Sequence, residues 1–198
     1  MKTILKVEEK EIPKLEITFD DNVENPREWT NLGYFLQKSG DKISPDGQDN
    51  AFYRIMVDTG DEASSLEEHI DLMKKRIKEE TDEKALIIYP VSMYEHSAVS
   101  YSLGQSFGFD YSNNAFYIIT DKTAKEFGAK KEDFRKIIED ELKIYTKWAN
   151  GEVYSFILYD DKGEIEDSCG GFYDIEDIRE YLSKEWEKED LSDYLVYN

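Results

Sequence analysis

Between Ala85 and Thr120, a chain in which 35% of residues are charged carries only two carboxylates, Glu95 and Asp110, together with eight aromatic rings. Such a stretch escapes water as the middle of a sheet, because aromatic and β-branched side chains suit a pleated, buried surface. Its apolar runs, Ala85 to Val91 and Phe116 to Ile119, are strand-sized and fall short of the ~18 residues a membrane helix needs. Strands are predicted over 85–94, 98–103 and 114–120, with the glycine-containing stretch 104–114 as a loop.

The remaining punctuation predicts helices around this sheet. Asn25-Pro26-Arg27-Glu28 has a capping residue, a proline for the first helical position and an acid where a capping box wants it. Trp29, Leu32, Gly33 and Leu36 then share one face, giving an amphipathic helix of about three turns. Ser65 and Glu68 predict a second helix burying Leu66, Ile70, Met73 and Ile77. A short helix over 122–127 stops at Gly128, and a long one buries Phe134, Ile137, Ile138, Leu142, Tyr145 and Trp148 before Asn150-Gly151. A final helix from Asp174 would bury Ile175, Ile178, Leu182 and Trp186. Strands are expected at 2–7, 14–19, 52–57 and 152–159, the last apolar on both faces and therefore central. The turn Asp160-Asp161-Lys162-Gly163 leads into a polar edge strand, 164–169. These elements imply an α+β fold, a mainly antiparallel sheet flanked by about four helices, in a single compact domain of 198 residues.

Charge narrows the partners. With 25 Lys and Arg against 45 Asp and Glu, the net charge is −20, so direct binding to nucleic acid or an anionic membrane is disfavoured and a basic partner favoured. Half of that excess lies in residues 160–198, which hold 14 acidic and 4 basic side chains. Twenty charges match about 34 Å of duplex, and a compact chain of this length has a radius of gyration of about 16 Å. Mimicry of DNA is therefore adequate in density if most of the excess shares one face. The single cysteine, Cys169, leaves no internal disulfide, and the opening MKTILKVEEKEIPKLE sets acids where a signal peptide places its apolar stretch. A cytoplasmic location is expected.

Three stretches carry a resemblance. Glu24-Asn25-Pro26-Arg27-Glu28-Trp29 with Asn31-Leu32-Gly33, the strand YPVSMYEHS (89–97) and the segment GEVYSFILYDDKGEIEDSCGGFY (151–173) resemble an uncharacterised family of bacteriophage and mobile-element proteins of Firmicutes. That family usually carries a Trp-Asp-Ser-Gly element where this chain has Phe109-Asp110-Tyr111-Ser112. No chemistry transfers with the resemblance. It implies an accessory protein of a mobile element, a setting in which small acidic proteins antagonise host defence.

Glu95-His96-Ser97 with Cys169 could form a nucleophilic site on paper, but the Gly-x-Ser-x-Gly elbow is absent and a lone histidine in an aromatic strand is more often structural. The carboxylates of 160–167 lack EF-hand spacing and suit an edge that repels other strands. No metal or cofactor is expected, and no catalytic residues. The candidate acidic contact surface is Asp160, Asp161, Glu164, Glu166, Asp167, Glu176, Asp177 and Glu180; Trp29, Tyr34 and Tyr111 are candidate aromatic contacts. The expected role is a non-enzymatic inhibitor of a basic, nucleic-acid-binding host defence effector of the CRISPR or restriction type. The alternative is a small-molecule or nucleotide-signal pocket, enzymatic or not, in the aromatic segment 89–117 around Tyr94, His96 and Tyr101.

Overall fold

The computed structural model describes residues 14–38 and 43–197. Its backbone forms an α+β fold with two antiparallel sheets, and it divides into two compact units. One unit joins the N-terminal segment up to Val23 to Gly151–Asn198; the other is the continuous stretch Glu24–Asn150. The expected strand over 2–7 lies outside the described residues.

The larger unit is built on the aromatic stretch singled out above. Strands β1 (Leu15–Phe19) and β2 (Tyr34–Gln37) are followed by helices α1 (Ala51–Glu62) and α2 (Leu66–Glu80), then by β3 (Ala85–Glu95), β4 (Val99–Leu103) and β5 (Tyr111–Thr120). Its four strands run in the order β2-β5-β3-β4, all antiparallel. Helices α3 (Asp121–Phe127) and α4 (Phe134–Ala149) complete the unit. The sheet is covered on both sides, which explains its continuous apolar runs. Phe35, Val91, Ala115, Tyr117 and Ile119 pack with Phe134, Ile138, Leu142 and Tyr145 of α4. Leu36, Ile88, Phe116 and Ile118 point the other way, onto Phe52, Ile55 and Met56 of α1 and Met73 and Ile77 of α2. Each such side chain fully buried contributes roughly 1.5–3 kcal/mol.

Two local expectations fail here. The residues after Asn25 form one 3-10 turn, Pro26–Glu28, followed by an irregular link to β2, instead of a three-turn helix over 25–36. Asn25 does cap, accepting from the Arg27 amide. The helix stops because Arg27 turns inward, and because Gly33 lies against the β5 backbone: a Cβ there would sit 2.2 Å from the Ile118 carbonyl oxygen. Residues 52–57 are helical, not a strand, since Phe52, Ile55, Met56 and Thr59 recur at helical spacing and Asn50 caps the Phe52 amide. By contrast, α2 starts at the expected Ser65 cap, and α3 ends at Gly128 in the left-handed conformation at φ 75°.

In the smaller unit, β6 (Tyr154–Tyr159) lies between β1 and β7 (Ile165–Phe172), as an apolar strand flanked by a polar edge requires. Leu15, Ile17, Phe156 and Phe172 form its core with Ile178, Trp186 and Leu191. The last three come from successive 3-10 turns, Ile175–Tyr181, Lys184–Lys188 and Leu191–Tyr194, so no continuous helix runs over 174–188. Ile175 and Ile178 are spaced by three, a period that a 3-10 turn satisfies. No described helix is long and apolar enough to cross a membrane.

The sheet edges are treated unequally. At β2, the Phe35 amide donates to Asp46 Oδ2 at 2.5 Å, its carbonyl accepts from the Asp46 amide at 3.2 Å, and the Gln37 amide donates to Ser44 Oγ. At β4, Asn150 engages both the Val99 amide (2.9 Å) and its carbonyl (2.8 Å), while the Tyr101 amide donates to Thr146. At β1, the Ile17 carbonyl accepts from the Val196 amide at 2.8 Å. Outside the ladder to β6, the amides of β7 find only the side chains of Asp167 and Asp20 among the described residues.

Candidate functional site

Charge is segregated between the units. The smaller one holds 21 acidic and 8 basic residues, a net of −13, and the larger one 24 and 17, a net of −7. Within the smaller unit, every residue from Glu164 to Gly171 is exposed. The hairpin placing them there is fixed by its own chemistry. Asp160 Oδ1 accepts from the amides of Lys162 and Glu164, both at 2.8 Å, and Gly163 supplies a φ of 77°.

This arrangement sorts the candidate acidic residues. Asp161, Glu164, Glu166, Asp167, Asp177 and Glu180 are exposed. Asp160 is half-buried and employed in the turn, and Glu176 is committed to Arg179, whose Nη2 donates to it at 2.7 Å. Arg179 also donates to the Trp186 and Glu189 carbonyls, so this pair holds consecutive 3-10 turns together. Asp160 Oδ1 is therefore engaged in the turn and Glu176 Oε2 in the pair with Arg179, while Glu176 itself stays exposed. Asp161 approaches Lys14 at 3.6 Å with both groups in solvent, a pairing of little energetic weight. Asp167 pairs with Leu158 and Ile165 with Tyr159, with Glu166 at the intervening register shift. The carboxylates thus line a strand edge.

The aromatic candidates do not form one group. Trp29, 43% exposed, and Tyr34 line a common cleft of about 540 Å³ with Glu28, Asp46 and Glu126. Tyr34 stacks on Phe52 at 4.1 Å and donates to Glu83, and burial and then Glu83 raise its phenol well above its usual range. Tyr111 lies elsewhere, paired with Tyr94 at 5.1 Å.

The alternative pocket is not assembled. Tyr101 pairs with Met93 across β3 and β4, so its neighbour in register, Tyr94, points to the opposite side of the sheet. Tyr101 is spent in the core between Phe35 and Tyr145, with its hydroxyl on Gln37. His96 is 72% exposed, its Nδ1 4.0 Å from Asp110. The second cleft, of about 450 Å³, is lined instead by His69, Lys38, Asp61, Asn114 and Phe116. There His69 Nε2 contacts the Met56 carbonyl at 2.9 Å, and Gly60 leaves room for the ring. Among the described residues, no group of three or more His, Cys, Asp or Glu could hold a metal ion.

A buried ionic cluster was not anticipated. All five N–H groups of Arg27 are used: two on Asp46 (2.7 and 2.9 Å), one on Asn31 (2.9 Å), one on Glu141 (3.0 Å) and one on the Gly33 carbonyl (2.7 Å). Glu141 also accepts from the Leu32 amide at 2.8 Å and from the Tyr117 hydroxyl. Burial works against the guanidinium charge, but the bonds and charge of Asp46 outweigh it and hold Arg27 protonated. A fully satisfied guanidinium has nothing left for a ligand; Arg27 pins the link between the 3-10 turn and β2. Its motif was visible, but Glu141 sits in the run Glu139-Asp140-Glu141, where only adjacency to Leu142 marks it.

No protein-family model, curated protein or solved structure matches this chain.

Proposed function

We propose that this chain is a non-enzymatic binding protein of a phage or mobile element that occludes a basic, nucleic-acid-binding surface of a host defence protein in the bacterial cytoplasm. The segregation of charge carries this reading: a net of −13 concentrated in the smaller unit, with Asp161, Glu164, Glu166 and Asp167 exposed along its hairpin. Such a surface attracts cationic protein from a distance and repels nucleic acid. The resemblance described above supplies the setting, and a CRISPR effector or a restriction enzyme is the class of target.

The test is competition. Purified protein is titrated into complexes of defence effectors with their nucleic acid at several salt concentrations, beside the variant carrying Glu164→Gln, Glu166→Gln and Asp167→Asn. Displacement that weakens with salt, and less steeply for the variant, is the expected result. No displacement of any effector, or identical curves for the two proteins, would refute the role of this surface.

A further inference from the structure

The hairpin offers more than charge. In the smaller unit, β6 presents alternate residues to its two neighbours: Tyr159 donates to the Lys14 carbonyl at 2.9 Å, so odd-numbered residues face β1 and even-numbered ones face β7. Their partners on β7, Asp167 opposite Leu158 and Cys169 opposite Phe156, turn their backbone groups inward. The backbone of Ser168 between them points away from the sheet, and its amide is met only by the side chain of Asp167, at 2.8 Å. The edges of β2, β4 and β1 are each met by other parts of the chain, as described above. The stretch Ile165–Cys169 of β7 is the open edge among the described strands, and Ile165 on it is 64% exposed.

We infer that β7 is a docking edge that accepts an extended, Lys- or Arg-bearing segment of the partner as a fourth strand, in the order partner-β7-β6-β1. This rests on the binding reading proposed above and specifies how the partner is held. Strand addition supplies affinity through backbone pairing, and side chains supply the choice of partner. Glu164, Glu166 and Asp167 flank the open groups, so an incoming strand places its own side chains beside carboxylates. The same carboxylates oppose a second copy of the chain, whose β7 would set like charges against like. They guard the edge against self-pairing and admit a basic strand.

The probe is a synthetic peptide of alternating lysine and valine, compared with the same peptide N-methylated at every residue, which keeps its charge and removes the backbone donors along both edges. Binding is read by fluorescence anisotropy, by amide hydrogen exchange over Ile165–Cys169 and by the alkylation rate of Cys169, the sole thiol. The expected result is that the parent peptide binds, slows exchange at Ser168 and protects Cys169, and that N-methylation weakens binding about tenfold or more, the equivalent of one or two backbone bonds. Equal, salt-sensitive binding of both peptides would overturn strand addition while sustaining the charge-based reading. No binding of either peptide at low salt would sink both. Protection of β7 amides without peptide, together with a doubled mass in light scattering, would assign the edge to a second copy and overturn the proposal.

Discussion

Arg27 Nη1 lies 3.0 Å from Glu141 Oε2 across 114 positions of sequence, and the same carboxylate oxygen accepts from Tyr117. One carboxyl group of α4 thereby fixes the segment before β2 and a tyrosine of the central strand β5. Removing Arg27 leaves both Asp46 and Glu141 without their cation, and breaking a buried pair in this way typically costs about 3–5 kcal/mol, whereas removing the Glu141 charge leaves Arg27 paired with Asp46. Arg27→Met is expected to lower stability by roughly that amount in urea denaturation and Glu141→Gln by less, because Asp46 still holds the guanidinium. The double variant should lose less than the sum of the two. Additive losses would show that the two groups are not coupled.

Tyrosines of the larger unit should make the protein sensitive to alkali. Burial, with Asp46 next, pushes Tyr145 up from 10.0 to about 12, and Tyr117 and Tyr101 are raised further, again chiefly by burial. A folded value above the unfolded one means stability fully present below pH 10 and lost as pH rises towards and through about 12. For Tyr145 alone this gap corresponds to about 3 kcal/mol. Ultraviolet titration of the native protein should find part of the 14 tyrosines silent until the chain unfolds, with urea midpoints falling above about pH 10. Uniform titration of every tyrosine near pH 10 in the folded state would refute this account.

Asn150 lies just beyond α4 and closes the β4 edge by pairing with both backbone groups of Val99. Asn150→Ala should cost about 1–3 kcal/mol, because two backbone groups lose their partner. It should also raise concentration-dependent association, because a closed edge becomes an open one. Asn150→Asp keeps the acceptor for the Val99 amide and loses the donor, so an intermediate loss is expected. Light scattering alongside thermal melts separates the two effects; an Ala variant that matches the parent in both would show that the cap is dispensable.

The sequence was most legible where one local signal answered one local question. Ser65 and Gly128 mark helix ends by the hydrogen bonds and backbone angles they supply nearby, and the aromatic stretch from Ala85 advertises a sheet covered on both faces. It was least legible where distant partners decide. Asn25 and Pro26 start a turn as their types require, but whether it continues depends on Asp46 and Glu141, 19 and 114 positions from Arg27. Ile178 and Trp186 lie in the core as expected, but on separate 3-10 turns instead of the one helix expected from Asp174. The acidic residues were visible as a cluster. That Asp160 and Glu176 each engage one oxygen locally depends on the turn that each one builds.

The smaller unit draws its strands from both sides of the larger one in the chain, with Leu15 of β1 opposite Leu158 of β6. On the ribosome this imposes an order. The contiguous stretch Glu24–Asn150 can close as soon as it emerges, whereas β1, already made, must wait for β6. At roughly 5–20 residues per second the delay is on the order of ten seconds. During that interval Leu15 and Ile17 have no sheet to enter, and the acidic unit, with the edge assigned here to a partner, forms only after the larger unit has been made.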